Sequence, residues 1–284
     1  MTPGRQPLAA VALLCFLWQR HRSVRASIHH EFANRYSGSL LGLVWVFLFP
    51  LLFLTIYAFV YALVFRVRLP GGGLLDYLLY VFTGLVPYLA MMEAANTATG
   101  SVRSHLSAIR SALMPIEIVP ARIVGVALAT MLVGLILVSV ISVWTDRLSW
   151  HVLLLPGVVI AHAAFFLGLT CLLAVLGALI RDITYVVNLF SLMLLFLSPI
   201  AYTETMLAPQ LWFLRDLNPV YYIVDAYRQC FFETGPVDWG SLFVFLVISV
   251  TTLLAGLSSR RRGASLLTAA SMRCCNSAPV STTT

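Results

Sequence analysis

Lysine is absent from all 284 residues, so each of the eighteen basic side chains is an arginine. That excludes a Walker A phosphate loop, whose terminal lysine reaches the nucleotide phosphates, and equally a Schiff-base lysine. Nucleotide-driven work would have to be powered by another polypeptide. Charge of either sign is scarce, at 10% of residues, where a soluble domain carries about a quarter. Cysteine is scarce too: Cys15, Cys171, Cys230, Cys274 and Cys275 include no CxxC pair, which indicates neither a disulfide framework nor a zinc site. What fills the chain instead is apolar, at 60% hydrophobic residues, the composition of an integral membrane protein.

The net charge of +7 raises nucleic acid as a partner. The arginines, however, stand in small groups between apolar runs, with no continuous stripe to follow phosphates, so no nucleic acid is expected. Residues 8–18 form an apolar run too short for a bilayer, which needs about 20 residues. Gln19-Arg20-His21-Arg22 follows where a signal peptide would have a small-residue cleavage site, so a membrane-surface segment is the preferred reading. Val24, Ile28, Phe32 and Tyr36 then recur every four residues, with Arg25, His29, Glu31 and Arg35 on the other faces, which predicts an amphipathic helix on the membrane. His29-His30-Glu31 is no metal site on such a helix, because adjacent positions point apart.

Apolar runs predict six spans, at about 40–65, 74–95, 121–144, 150–180, 183–201 and 239–258. Gly38 and Gly42 form a GxxxG at the start of the first, a motif that lets helix backbones approach, and Pro50 is its expected kink. Glu93 lies near the end of the second; a headgroup-level acid is a plainer account of it than a transport role. A second amphipathic helix is predicted over 101–113, with Arg103 and Arg110 opposite Val102, Leu106, Ile109 and Leu113. His162, inside the fourth span, reads as hydrogen-bonded within the bundle in preference to a proton relay. Between spans five and six, residues 202–238 mix Trp212, Tyr222, Tyr227 and Phe231 with Arg215, Asp225 and Arg228. Too polar to cross and too aromatic to leave the surface, they predict a re-entrant or interfacial cap. Asp225 and Arg228, three apart, could simply pair with each other. Residues 1–38 are the N-terminal interfacial region, and 259–284, with Arg260-Arg261-Arg262 and a Ser/Thr-rich end, read as a disordered tail.

If both termini share a side, thirteen arginines lie there and Arg66, Arg68, Arg147, Arg215 and Arg228 lie opposite, which puts the termini in the cytoplasm and the cap outside. The expected fold is thus all-α and polytopic: six transmembrane helices, cytoplasmic N- and C-termini, an N-terminal amphipathic interface helix and re-entrant outer-face helices.

Five stretches add a resemblance. They are Arg35-Tyr36-Ser37-Gly38-Ser39-Leu40-Leu41-Gly42-Leu43-Val44-Trp45 followed by Pro50; Gly84-Leu85-Val86-Pro87-Tyr88; Met114-Pro115-Ile116-Glu117-Ile118-Val119-Pro120; Arg181-Asp182-Ile183 with Ser198-Pro199-Ile200-Ala201-Tyr202; and Leu217-Asn218-Pro219 with Tyr227-Arg228. In this order, over about residues 30 to 258, the chain resembles ABC-2 type permeases that export O-antigen, capsule or teichoic acid polysaccharides. It departs from their pattern at Met114, where the family often has phenylalanine, and at Leu113, where it has a basic residue.

The resemblance implies a homodimer paired with two copies of a separate ABC ATPase, which holds ATP and magnesium; this chain needs no cofactor, metal or catalytic residue of its own. The expected cargo is a lipid-linked glycan leaving across the cytoplasmic (inner) membrane of a bacterium. Coupling to the ATPase is expected at Glu31, Arg35, Arg103, Arg110, Glu117, Arg181 and Asp182. For the Arg181-Asp182 pair, an arginine satisfying helix C-terminal carbonyls is the alternative. Trp45, Tyr57, Tyr61 and Tyr88 are the candidate channel lining, because sugars slide over aromatic faces. Asn218, Pro219, Tyr222, Asp225 and Arg228 are expected to shape the outer cap. The rival readings are an ABC-2 exporter of a drug or other small hydrophobic molecule and an intramembrane transferase. The second is disfavoured because no two acids or histidines share a helical face at the membrane boundary.

Overall fold

The computed structural model describes residues 21–36, 40–60, 73–104, 118–146, 149–180, 182–200, 202, 212–232 and 235–276. Its helices are α1 (His21–Tyr36), α2 (Trp45–Ala58), α3 (Leu74–Ser104), α4 (Ile118–Trp144), α5 (Leu155–Leu179), α6 (Ile183–Leu197), α7 (Trp212–Leu217), α8 (Pro219–Phe231) and α9 (Trp239–Asn276). Short 3-10 turns at Gly42–Val44 and Trp150–Leu154 lead into α2 and α5. Among the described residues four helices are long and apolar enough to cross a membrane: Leu75–Val102, Ile118–Trp144, Trp150–Leu179 and Trp239–Ser259. α6 is a shorter apolar helix. The protein is therefore an all-helical, multi-pass membrane protein.

Local chemistry sets the helix ends. Asp76, in the first turn of α3, accepts from the Gly73 backbone N–H at 2.9 Å and so satisfies one of the donors a helix start leaves over. Asn218 does the same for α8, accepting from Val220 N at 3.0 Å, with Pro219 in the first turn where its missing N–H costs nothing. Asp238 accepts from Gly240 and Ser241 at the start of α9. α6 stops at Leu197 because Ser198, held extended by the following Pro199, cannot continue it.

In lipid, apolar surface gains little by leaving one hydrocarbon for another, so helices associate through close packing and hydrogen bonds. α5 is the centre of that packing. A Cβ on Gly168 would strike the backbone of Thr252 on α9, and one on Gly177 would strike the backbone of Thr99 on α3. Around these contacts Leu79, Phe166, Ile223, Tyr227, Phe231 and Phe245 are almost wholly buried.

Several boundaries differ from the sequence reading. The second span does not stop at residue 95, for α3 continues to Ser104. Ala94, Ala95, Ala98 and Thr99 are small and buried, and they let α3 lie against α5 at Gly177. The expected separate helix at 101–113 therefore begins as the end of α3, and residues 105–117 lie outside the described residues. The tail expected to be disordered is helical as far as Asn276, since residues 259–276 hold one glycine, Gly263, and no proline to stop α9. Gly42 serves not to bring two helices together within the chain but to supply a positive φ of 48° at the turn into α2; a Cβ there would meet nothing within 4 Å. The N-terminal apolar run at 8–18 lies outside the described residues.

Candidate functional site

Three places carry the chemistry the sequence singles out: a cavity beside α2, the junction of α1 with α4, and the buried face of α8. The cavity, about 520 Å³, lies between α2, α3 and α4. Its apolar wall includes Trp45, Phe49, Val86, Leu89 and Met131, and its polar end is Glu93, Asn96, Thr97 and Thr130. Helix periodicity explains this division, because Val86, Leu89, Glu93, Asn96 and Thr97 share one face of α3 and run from apolar to polar along it. The Thr130 hydroxyl donates to Glu93 Oε2 at 3.3 Å and ties the polar end of α3 to α4. Asn96 Oδ1 is buried with no hydrogen-bond partner.

Glu93 is thus not the helix-terminal acid the sequence reading preferred. It sits three turns before the end of α3, half-buried in the cavity wall. Trp45 lines the cavity as well. Tyr88 does not: fully buried, it donates its hydroxyl to the Ser191 carbonyl of α6, so its ring fills the α3–α6 contact and is closed to a passing sugar. The reason is register, since Tyr88 stands two residues from both Val86 and Ala90 and faces away from them on the helix. The Tyr57 side chain and the whole of Tyr61 lie outside the described residues.

At the junction of α1 and α4, Glu31 Oε2 lies 3.2 Å from Arg122 Nη1. The pair is asymmetric: the arginine side chain is 10% exposed and the glutamate 37%. Ile28, one turn earlier, packs on Gly125, one turn further along α4. An apolar contact and an ion pair on the same face fix α1 to the start of a membrane-spanning helix. Arg122 was missed as a site residue because it looked like one more arginine in the orientation count; its signal was a charge one turn inside an apolar helix, just after Pro120. Of the other coupling candidates, Asp182 is exposed at the turn before α6, whereas the side chains of Arg35 and Arg103 and the residues Arg110, Glu117 and Arg181 lie outside what is described.

α8 carries most of the cap candidates, and it is packed into the bundle against α3, α5 and α9. Arg228 lies with its Cζ 3.7 Å from the centre of the Tyr80 ring and donates from Nη2 to the Ile200 carbonyl at 2.8 Å. One guanidinium so joins α8 to α3 and to the chain just after α6. Asp225 accepts from Gln229 Nε2 at 2.7 Å and from the Ser241 hydroxyl, and Gln229 in turn accepts from Asp238 N at 3.1 Å. Asn218 donates to Ser198 Oγ at 2.9 Å, and Tyr222 donates to the Asp216 carbonyl at 3.1 Å. Pro219 is exposed in the first turn.

The Tyr227 hydroxyl lies 3.0 Å from His162 Nδ1 and 3.6 Å from Met131 Sδ. Phe165, Phe166 and Phe245 complete the surroundings of the imidazole, which is fully buried. This is the environment of a histidine that fixes helices together. Among the described residues no three His, Cys, Asp or Glu side chains come together as metal ligands would.

The family model described as "ABC-2 type transporter" matches residues 22–232, from α1 through α8. The O-antigen export system permease protein RfbA of Myxococcus xanthus is 25% identical over 251 residues, which cover 87% of this chain and 95% of that protein. Two proteins of the same name from Klebsiella pneumoniae are 26% and 24% identical over 228 and 227 residues, each covering 79% of this chain and 85% of the relative.

Proposed function

Because the chain belongs to the ABC-2 type transporter family, we propose that it is the permease subunit of an exporter that carries a lipid-linked polysaccharide out across the cytoplasmic membrane of a bacterium. Hydrolysis of ATP falls to a separate ATPase subunit, in keeping with the absence of lysine for a phosphate loop. The observation that carries the cargo assignment is the name shared by three relatives, all O-antigen export permeases aligned over most of their length.

In this reading two copies of the chain pair with two ATPase subunits. α2 and α6 add the remaining two crossings to the four long helices, for six in all, with both termini in the cytoplasm and α7 and α8 toward the outside. The arginine imbalance supports this orientation. α1 is the part the ATPase moves. Its contact with α4, through Ile28–Gly125 and Glu31–Arg122, supports that role, because a push on α1 reaches a membrane helix directly. Arg35, Arg103, Arg110, Glu117, Arg181 and Asp182 complete the docking surface, and Trp45, Tyr57 and Tyr61 line the path of the glycan.

The test is reconstitution of the permease with its ATPase. A lipid-linked O-antigen-type glycan is expected to stimulate ATP hydrolysis several-fold; stimulation by a small hydrophobic drug and not by the glycan would overturn the cargo assignment. Labelling that placed the two termini on opposite faces of the lipid would overturn the six-span orientation.

A further inference from the structure

Depth along α4 sets where α1 lies in the bilayer. Trp144 ends α4 and Trp150 opens the next crossing, and both rings are exposed, as aromatic side chains are where hydrocarbon meets headgroups. Counted back from Trp144, Gly125 and Arg122 stand nineteen and twenty-two residues earlier, roughly 28 and 33 Å along the helix. A hydrocarbon core is about 30 Å thick, so these two residues bracket its opposite edge. Ile28 packs on Gly125 and Glu31 pairs with Arg122, which holds α1 level with the headgroups of that leaflet and not above them in bulk water.

The surface that α1 turns to those headgroups is charged. Ile28 and Glu31, three apart, face α4. The exposed side chains described on α1 are Arg22, Ser23, Arg25, Ala26, His29 and His30. Among them Arg22, Arg25 and His29 follow the i, i+3, i+7 spacing that puts them on one stripe, over roughly 10 Å of helix. Residues 21–36 contain a single acid, Glu31, and Arg122 holds it on the side toward α4, so the stripe carries charge of one sign. A surface helix commonly grips a membrane by sinking an apolar face among the acyl chains. Ile28, the one large apolar side chain described on α1, is turned to the protein instead.

We propose that the Arg22–Arg25–His29 stripe of α1 binds anionic phospholipid headgroups in the leaflet at the start of α4. Lipid then holds the junction from one side and the Glu31–Arg122 pair from the other. Guanidinium groups form paired, charge-assisted hydrogen bonds with phosphate, and each arginine near an anionic surface strengthens binding about fivefold. Depth selects lipid over an acidic protein surface as the occupant, because the stripe is level with the headgroups. Such binding holds for either orientation of the chain and needs neither nucleotide nor glycan, so its failure and the failure of the transport reading are separate results.

The test follows backbone hydrogen exchange in the full chain, reconstituted in nanodiscs of phosphatidylcholine alone and of phosphatidylcholine with phosphatidylglycerol. At low salt the amides of residues 21–31 are expected to exchange about fivefold or more slowly when phosphatidylglycerol is present. At molar salt the difference should vanish, because screening then acts within a few ångströms. The double variant Arg22→Gln, Arg25→Gln should lose the dependence on phosphatidylglycerol while exchange in α4 and α5 stays as in the native chain, which shows that the fold is kept. Equal exchange in the two lipid mixtures, or a lipid dependence that survives in the double variant, would overturn the proposal. Protection of residues 21–31 by the ATPase together with none by phosphatidylglycerol would also overturn it, by giving the stripe to a protein partner.

Discussion

Where α5 meets α3 and α9, backbone lies on backbone; where α2 and α6 meet the rest of the chain, large side chains stand between and many face outward. Gly168 and Gly177 bring the first set of helices as close as chains can come. On α6, by contrast, Tyr185, Leu189 and Phe196 are all more than 60% exposed, and on α2 so is Ile56. The contrast separates a rigid frame from two elements held by few anchors, such as the Tyr88 hydroxyl on the Ser191 carbonyl. An exporter needs both: a frame that keeps its shape in the bilayer, and helices that can part from it at small cost.

Substitutions that attack the frame should have the largest effects. Gly177→Leu forces a side chain into the Thr99 backbone and is expected to cost more than about 4 kcal/mol, read as loss of the folded peak on size exclusion. Phe166→Ala opens a void beside His162 and should cost about 3–5 kcal/mol, measured as a fall in the thermal midpoint in detergent. Effects at the anchors should be smaller and should spare folding. Breaking the α1–α4 ion pair by Glu31→Arg is expected to cost about 1–3 kcal/mol locally, between the limits for exposed and buried pairs. Transport should fall while abundance holds, and adding Arg122→Glu should restore it; unchanged transport in the single variant would deny α1 its role. Tyr88→Phe should cost only about 1 kcal/mol, in the range of hydrogen bonds within membranes, and should raise hydrogen exchange in α6 more than in α5.

The frame was legible in outline and hidden in detail. Apolar length alone marks the long helices, because a crossing helix must satisfy its backbone internally over a fixed thickness. What could not be read is how those helices touch. Asn96, Thr97 and Thr99 look like a chain leaving the membrane, yet Thr99 is buried under α5, and only the position of Gly177, far along the sequence, makes room for it. The same holds for α8. Its mixture of rings and charges looks interfacial, but Val224, Tyr227, Arg228 and Phe231 are buried, with the charge of Arg228 met by a ring and a carbonyl from two other segments. Glu31 was legible as a polar face of an amphipathic helix, whereas its partner on α4 was not, since pairing between distant residues leaves no local pattern.

The crossing of Thr99 with Gly177 stands five residues before Asp182, at the turn that leads into α6. With no side chain between the two main chains, nothing there can compress. That contact lies at the end of α5 nearest the turn, and the helix it touches, α3, forms a wall of the cavity beside α2. One missing methyl group thus ties α3 to the end of α5, and the turn before α6 is anchored through it to a wall of the cavity.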